Sequence, residues 1–264
     1  MYNLNWLRET LPEDITLKYY PEIHSTNSEA LRLIEADTIA DSTILLTGNQ
    51  TAGRGRLQRT WVSDPADSLT FSLVLRDSEN IPADNPAFLT LVAGAAVCDA
   101  IADLAGMSPQ VKWPNDILLN DKKACGILTE SIFDPPSISG VVIGIGVNVG
   151  KNAVPPRDQM RYPATSIAQE TGAVVQREEL LVRILQKLVH WIPLAASPSF
   201  RSHYQNRLAF MGESVNIVNE VNQTSVMGIC AGITPSGALI LNSADGKAIE
   251  IHAGEVSLKW KPEE

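Results

Sequence analysis

The segment GVVIGIGVNV, residues 140–149, sets the architecture that we expect of this chain. It is rich in β-branched residues and carries apolar side chains on both faces. A strand of this kind lies inside a sheet that is covered on both sides. Gly144, Gly146 and Asn148 interrupt the run, and such residues are poor in a central strand unless something needs the space beside the backbone. We therefore predict a central strand that borders a site.

Shorter patterns on both sides of this segment predict further strands and helices. Thr26 with Glu29 forms a capping box that predicts the start of a helix, and Gly106 ends a second, buried helix. Asn120 and Asp121 suit a tight hairpin. The predicted strands are 15–20, 43–47, 69–75, 110–113, 117–119 and 124–132, the predicted helices beyond Thr26 are 87–104, 178–194 and 200–210, and 151–163 is a predicted loop.

The pattern changes after Met211 and Gly212. Residues 213–260 hold short alternating runs that turn signals separate at about ten-residue spacing, which indicates a small all-β barrel or sandwich. We therefore expect an α+β protein. Its larger domain, 1–211, would contain a mixed β-sheet with helices, and its smaller domain, 212–264, would contain only strands.

Composition excludes several classes of protein. The 264 residues include 21 basic and 30 acidic side chains, and the net charge of −9 argues against DNA, RNA or an anionic membrane as the main partner. No run of 18 apolar residues and no signal peptide is found, so we expect no membrane span. The three cysteines form no CxxC pair and sit in apolar surroundings. They predict buried thiols in a reducing compartment, which is most simply the cytoplasm.

The strongest chemical signal is GRGRLQRTW, residues 53–61. Its glycines permit close backbone approach to a ligand, and its three arginines are permanently charged donors that suit phosphates. The spacing matches neither the P-loop nor the dinucleotide-binding fingerprint. A solvated basic turn, or a short nucleic-acid-binding segment, would have a similar composition.

Two further segments carry reactive side chains. KWPND, residues 112–116, places a lysine, an amide and a carboxylate at a turn, although an ordinary turn would look the same. In KACGILTE, residues 123–130, Gly126 interrupts an apolar strand. Either something packs closely on the backbone there, or the strand bends or bulges.

In this order, these segments resemble the biotin protein ligase family. That family is marked by a GRGRxxRxW loop, a KWPND segment, a K-x-x-GIL-E strand and a G-x-G-x-N strand, which here is GIGVN at 144–148. Ser25-Thr26-Asn27 is similar to the family's STN segment, and Gln50 begins its Q-x-A lead-in. The resemblance covers about residues 15–260, and the combination of motifs is highly specific.

The resemblance implies a two-step reaction. Biotin and ATP would give biotinyl-5′-AMP and pyrophosphate, and biotin would then pass to one lysine of a carrier domain, such as that of acetyl-CoA carboxylase. The implied fold is a mixed sheet related to class II aminoacyl-tRNA synthetases, followed by an SH3-like barrel. The residues before Ser25 are too few for the winged helix-turn-helix of some members, so no DNA partner is expected. The family includes both monomers and homodimers.

The resemblance also implies roles for single residues. Lys112 would stabilise the α-phosphate, Arg56 would hold the phosphates, and Asp116 would orient or deprotonate the acceptor lysine. Tyr162 is a candidate to cover the adenine, and Mg²⁺ is expected on the triphosphate rather than at a protein metal site. The implied biotin contacts are Ser25, Thr26, Asn27, Gln50, Gly53, Arg54, Gly55, Arg56, Lys123, Gly126 and Gly144. The implied ATP or adenylate contacts are Arg54, Arg56, Arg59, Trp61, Lys112, Asn115 and Asn148.

Three other functions compete with this one. A lipoate- or octanoyl-handling ligase shares the fold but lacks the GRGRxxRxW loop in this form. A nucleic-acid-binding module would need a broad basic face with interleaved aromatic residues, and aromatic residues make up only 6% of this chain. A non-enzymatic biotin sensor would carry the same binding residues.

Overall fold

A seven-stranded mixed sheet forms the centre of the computed structural model, which describes residues 2–76, 86–134, 137–154, 156 and 162–258. Its strands occur in the order β1-β2-β3-β7-β6-β5-β4, with β1 and β2 parallel and the other pairs antiparallel. The predicted central strand is β7, and it lies in the middle of the sheet. The strands are β1 (Thr16–Tyr20), β2 (Thr43–Thr47), β3 (Ser68–Leu75), β4 (Gln110–Lys112), β5 (Asp116–Leu119), β6 (Lys122–Asp134) and β7 (Ser137–Asn148).

Helices cover both faces of this sheet, as the apolar pattern of β7 requires. One face, which carries Val74 and Val142, packs against Ala30 and Ile34 of a single helix, α2. The opposite face packs in the main core against α3 and α5. The helices are α1 (Leu4–Thr10), α2 (Thr26–Glu35), α3 (Phe88–Ala105), α4 (Ile167–Thr171), α5 (Arg177–Trp191) and α6 (Pro198–Gln205).

Helix α3 is the buried helix that the sequence predicts. It ends at Gly106, which has a φ of 64° and caps the helix in the left-handed conformation. By length and composition alone, α3 is long and apolar enough to cross a membrane, but 78% of it is buried inside the protein. That burial is typical of a core helix, and Cys98 on α3 is buried there as a free thiol.

Several local predictions need correction. The cap of α2 is Ser25, whose Oγ accepts from the Ser28 amide, so the capping box at Thr26 is wrong by one residue. Helix α6 starts at Pro198 and ends at Gln205, short of the predicted residue 210. The chain after it runs along β4 instead, since Val111 N donates to Arg207 O at 2.7 Å and Ala209 N donates to Val111 O at 2.9 Å. Pairing at this sheet edge outweighs the helical pattern.

The predicted hairpin between β5 and β6 is confirmed. Asn120 and Asp121 have φ values of 47° and 60°. Two successive residues of positive φ form the turn that matches the twist of a two-strand hairpin. The short helices α1 and α4 escaped prediction because five to seven residues give little helical periodicity.

A second, five-stranded sheet follows and is antiparallel, in the order β11-β10-β9-β8-β12. Its position agrees with the predicted small β domain. The last predicted strand reaches residue 260, but residues 259–260 lie outside those the structure describes, as do 155 and 157–161 of the predicted loop. The strands are β8 (Ser214–Asn219), β9 (Thr224–Ile233), β10 (Leu239–Asn242), β11 (Ala248–Ile251) and β12 (Glu255–Leu258).

The two sheets are joined through KWPND. The indole N–H of Trp113 donates to the Gly237 carbonyl at 3.0 Å, in a buried hydrogen bond. Gly237 has a φ of 85°, and a Cβ there would lie 2.7 Å from Leu91 and 2.8 Å from Phe88 of α3. The tryptophan of this motif therefore fastens the second sheet to the first.

Candidate active site

A cavity of about 970 Å³ lies on the α2 side of the large sheet. Its walls are the N-terminus of α2, the loop 53–61, the KWPND turn and one edge of the second sheet. Of the residues implied by the family resemblance, only Gly53 does not line it. The others are Ser25, Thr26, Asn27, Gln50, Arg54, Gly55, Arg56, Arg59, Trp61, Lys112, Asn115, Asp116, Lys123, Gly126, Gly144, Asn148 and Tyr162.

One row of residues across five neighbouring strands forms the floor. Thr70, Gly146, Gly126 and Asp116 are direct cross-strand partners on β3, β7, β6 and β5, and Lys112 of β4 completes the row. Side chains of direct partners point to the same face of a sheet. The row therefore places polar groups at both ends of the floor and two glycines in the middle.

The glycines of the floor make room for protein side chains. A Cβ at Gly146 would lie 2.4 Å from the Trp61 ring, and one at Gly126 would lie 3.1 Å from it. A Cβ at Gly144 would lie 2.2 Å from the Asn27 amide oxygen. The predicted close approach to these strands is present, but Trp61 and Asn27 take the space that the resemblance assigned to biotin. The ligand would therefore pack on Trp61 and Asn27 rather than directly on the glycines.

The loop 53–61 folds back on itself like a hairpin. Trp61 N donates to Gly53 O at 2.9 Å, and Gly55 N donates to Arg59 O at 2.7 Å. Leu57, at the tip, has a φ of 54°. A Cβ at Gly53 would lie 2.3 Å from the Trp61 carbonyl oxygen. Gly53 is needed to close the loop, which explains why it does not reach the cavity as the resemblance had implied.

The outer two of the three arginines in this loop are ion-paired. Arg54 pairs with Glu130 at 2.6 Å and donates to Ser28 Oγ at 3.0 Å. Arg59 pairs with Glu220 at 2.8 Å and also with Glu255. The sequence assigned all three arginines to phosphates, whereas in the structure these two hold the loop to its surroundings.

Arg56 differs from both neighbours. Its guanidinium donates to Asn115 Oδ1 at 3.1 Å and forms no ion pair with a carboxylate among the residues that the structure describes. Asn115 is held in turn, because its Nδ2 donates to Ile127 O at 2.9 Å. Burial lowers the pKa of Arg56 below its ordinary value. A partly buried guanidinium that forms no ion pair is poised to bind an anion.

Lys112 is the second cation of this kind. It is 9% exposed, and its Nζ lies 4.1 Å from the centre of the Tyr162 ring. Burial lowers the pKa of the Lys112 ammonium. Lys123, in contrast, pairs with Asp116 at 2.6 Å, so the carboxylate that the sequence proposed as a base is already held by a cation.

Internal pairing removes most of the positive charge at the site. Three of the five basic side chains that the sequence singled out, Arg54, Arg59 and Lys123, pair with four carboxylates. These are Asp116, Glu130, Glu220 and Glu255, so the five cations and four anions together keep one net positive charge. The remaining positive charge is concentrated at Arg56 and Lys112.

The start of α2 forms a network of buried polar groups. Thr26 N and Oγ1 donate to Gln50 Oε1 at 2.8 and 3.2 Å. Asn27 Nδ2 donates to Glu130 at 2.9 Å, and the Ser72 hydroxyl lies 2.6 Å from Asn27 Oδ1. These bonds fix the orientation of the side chains that the resemblance assigned to biotin.

Among the residues that the structure describes, four buried side-chain atoms of the cavity lining have no hydrogen-bond partner. One of them, Asp116 Oδ1, is in an ion pair with Lys123. The other three, Trp61 Nε1, Thr70 Oγ1 and Asn148 Oδ1, have neither kind of partner. Leaving such an atom unpaired costs about 1–3 kcal/mol. Asn148 is oriented, since its Nδ2 donates to Thr165 O at 3.0 Å. A ligand that offers one acceptor and two donors would satisfy this set.

Sequence reasoning missed two groups of lining residues. Thr70 sits in an apolar strand, and only its pairing with Gly146 would have marked it. Val218, Glu255, Val256 and Ser257 come from the second sheet, whose docking position is not encoded in any local pattern.

A separate groove of about 520 Å³ lies between α3, α5 and α6. The buried carboxylate of Asp99 accepts there from Trp191 Nε1 at 2.9 Å, pairs with Arg207 at 2.7 Å and lies 3.0 Å from His203 Nε2. Its hydrogen-bonding capacity is used within the protein. One buried atom of this groove, Arg207 Nε, also has no hydrogen-bond partner, but the guanidinium is paired with Asp99. The groove is therefore mainly a packing network, and the large cavity, with more unpaired polar atoms and the family motifs, is the better candidate site.

Comparisons with known proteins agree with this geometry. The Biotin/lipoate A/B protein ligase family matches residues 19–148. The Biotin protein ligase C terminal domain matches residues 210–259. These two ranges contain most of the large sheet and nearly all of the second sheet.

Individual relatives extend over most of the chain. The biotin--[acetyl-CoA-carboxylase] ligase of Paracoccus denitrificans is 37% identical over 241 residues, which cover 88% of this chain and 96% of that protein. The bifunctional ligase/repressor of Bacillus subtilis is 30% identical over 251 residues, covering 92% and 74%. The solved biotin protein ligase from Aquifex aeolicus, in complex with biotin and ATP, has a TM-score of 0.77 at 28% identity, covering 93% of this chain and 99% of that one. The chain therefore belongs to the biotin protein ligase family.

Proposed function

We propose that this protein activates biotin with ATP to biotinyl-5′-AMP, releases pyrophosphate, and transfers biotin to a lysine of a carrier domain in a biotin-dependent carboxylase. The observation that carries the proposal is a pair of cations, the partly buried Arg56 and the buried Lys112, in a cavity built from all four family motifs. Neither forms an ion pair with a carboxylate among the residues that the structure describes. The relatives named as biotin--[acetyl-CoA-carboxylase] ligases support the reaction and the carrier.

The first step joins two anions. An oxygen of the biotin carboxylate attacks the α-phosphorus of ATP, and the bond from that phosphorus to the bridging oxygen breaks as pyrophosphate leaves. The protein must align the two reactants and offset their charge. Arg56 and Lys112 do this best, because both are at least partly shielded from water and neither is neutralised by an ion pair with a described residue.

Neutral contacts would bind the rest of both substrates. The Asn148 carbonyl is an unused acceptor that suits an exocyclic amine such as that of adenine. The apolar chain and rings of biotin need an apolar surface with a few polar partners. The Trp61 ring and the ordered amides of Asn27 and Gln50 provide both.

In the second step the amine of the acceptor lysine attacks the carbonyl carbon of the adenylate, and AMP leaves. The amine must be neutral to attack, so it has to lose a proton. We assign Asp116 to orient that lysine, in exchange with Lys123, which holds the carboxylate at 2.6 Å. Until the carrier arrives, the ion pair with Lys123 holds the Asp116 carboxylate in position.

Mg²⁺ would enter with the triphosphate. Among the residues that the structure describes, no group of three His, Cys, Asp or Glu side chains could hold a metal ion. We expect the metal to be carried by the nucleotide, where it would offset phosphate charge. We place the boundary between the two domains at 211–212, so that they span 1–211 and 212–264. We place the enzyme in the cytoplasm, consistent with its free thiols. We expect a monomer or a homodimer.

The test is a purified-component assay. The protein is mixed with ATP, Mg²⁺ and either biotin or lipoate, and pyrophosphate release is followed. Transfer is then measured to a carrier domain and to the same domain with its acceptor lysine changed to arginine. We expect release with biotin and labelling of the lysine carrier alone. Release with lipoate only would support the lipoate ligase reading, and no release with either acid would contradict the proposal.

A further inference from the structure

The second sheet contributes two carboxylates to a single arginine of the loop. Glu220 follows β8, and Glu255 begins β12. Arg59 NH2 contacts Glu220 at 2.8 Å, while its NH1 contacts Glu255. One cation thus faces two anions, and the three side chains are about one quarter to one third exposed. Arg59 and Glu255 line the cavity, and Glu220 stands behind Arg59.

Glu255 lies among the groups that suit phosphates. It lines the cavity together with Arg56 and Lys112. Burial would raise the pKa of Glu255, but its hydrogen bond to Arg59 and the charges of Arg59 and Lys112 hold that pKa below its ordinary value. Glu255 is therefore a carboxylate that stays ionised at neutral pH, in the place where the polyphosphate of a nucleotide would be bound.

The effect of this carboxylate depends on the charge of the ligand. Coulomb repulsion grows in proportion to ligand charge. Pyrophosphate and the triphosphate of ATP carry several negative charges, whereas an acyl-adenylate carries one. Fixed carboxylates beside Arg59 therefore weaken the binding of polyphosphates more than they weaken the binding of the adenylate.

We infer that Glu255 and Glu220 are built-in counterions of Arg59 that compete with polyphosphate, so that the site releases pyrophosphate while it retains the adenylate. The inference rests on the proposed function for its place in the reaction. Its central statement concerns the affinity of the protein for pyrophosphate, which can be measured without biotin.

The experiment measures binding of Mg²⁺-pyrophosphate to the full chain by calorimetry. Glu255→Gln and Glu220→Gln remove one charge each and keep the shape of the side chain. We expect Glu255→Gln to bind roughly fivefold more tightly, which is the size expected for one partly exposed charge. Glu220→Gln should change affinity in the same direction. Glu250→Gln, an exposed residue of the same sheet, is the matched control and should bind as the unmodified protein does.

A second set of variants removes Arg59. In Arg59→Gln, the additional change Glu255→Gln should again tighten pyrophosphate binding, because the carboxylate repels a polyphosphate whether or not Arg59 is present. Unchanged or weaker binding in Glu255→Gln, with an unaltered melting temperature, would show that the carboxylates position Arg59 and would overturn the inference. Failure of the proposed function has a different signature, which is absence of biotin-dependent pyrophosphate release in the unmodified protein.

Discussion

The indole of Trp61 lies directly on Gly146: a Cβ at that glycine would stand 2.4 Å from Cε2 of the ring. The contact joins the loop 53–61 to the middle of the central strand, so it fixes how far the loop can approach the floor of the cavity. Real Cβ atoms do not come so close to a neighbour, and a side chain at position 146 must therefore push the ring away.

Gly146→Ala should weaken biotin binding at least tenfold, because the displaced ring can no longer form one wall of the cavity. Isothermal titration with biotin measures this. The matched rescue is Trp61→Phe in the alanine background, since phenylalanine has the smaller ring and lacks Cζ2, one of the three atoms that the added Cβ would meet. Recovery of part of the lost affinity in the double variant is expected. Independent, additive losses would contradict a direct contact between the two residues.

Arg56→Ala should release the adenylate faster, because Arg56 is the arginine of this loop without a carboxylate partner among the described residues. Loss of a charged hydrogen-bond donor to a buried ligand costs about 2–3 kcal/mol, or roughly 30- to 150-fold in affinity. Retention of radiolabelled biotinyl-5′-AMP through gel filtration gives the measurement. Arg8→Ala, on α1, is a control that removes an arginine far from the motifs. Equal retention in Arg56→Ala and the unmodified protein would refute its role.

The roles of the three arginines show how far sequence reasoning reaches. The spacing of GRGRLQR and the family resemblance located the loop, but they assigned Arg54, Arg56 and Arg59 alike to phosphate binding. In the structure Arg54 pairs with Glu130, which is 76 residues away along the chain. Arg59 pairs with Glu220 and Glu255, which are 161 and 196 residues away. Partners at such distances are set by tertiary packing, and no local pattern encodes them.

The fold could be predicted more completely than the site for a related reason. The apolar run of β7 is a local pattern that also indicates the position of the strand in the fold, because a strand that is apolar on both faces lies in a sheet covered on both sides. The end of α6 had no such signal. Instead of continuing the helix, Arg207 and Ala209 form backbone hydrogen bonds with Val111, a contact that the helical pattern does not reveal.

Lys112→Met should stabilise the protein while it abolishes adenylate formation. Burial lowers the pKa of Lys112 from 10.5, so the folded state binds this proton less tightly than the unfolded state does. Between the folded pKa and 10.5 the unfolded state holds more protons, and the contribution of Lys112 to stability therefore rises with pH. At pH 7 the charged lysine is a cost, and its removal should add up to about 1 kcal/mol to the free energy of unfolding.

Two measurements check the prediction for Lys112. Chemical denaturation at pH 7 should show the gain, and a fall in stability would contradict it. The pH profile of adenylate formation should lose activity on the alkaline side, where Lys112 becomes neutral. In Lys112→Arg the group stays charged, so any activity that remains should persist to higher pH. If the unmodified protein and Lys112→Arg lost activity at the same alkaline pH, the loss would be due to a group other than Lys112.

Trp113→Phe should loosen the second sheet and raise the KM for ATP. The change removes the donor to the Gly237 carbonyl, a buried bond of 3.0 Å, and leaves that acceptor unpaired. We expect a loss of about 1–3 kcal/mol in the free energy of unfolding. The KM should rise because the sheet that this bond fastens carries Val218, Val256 and Ser257 into the cavity, where they form part of its wall. Trp6→Phe is the control, since the indole of Trp6 packs against the core but donates no hydrogen bond to any residue that the structure describes. A similar loss of stability in both variants, with the KM for ATP unchanged in Trp113→Phe, would mean that the bond contributes to packing alone and does not hold the second sheet at the site.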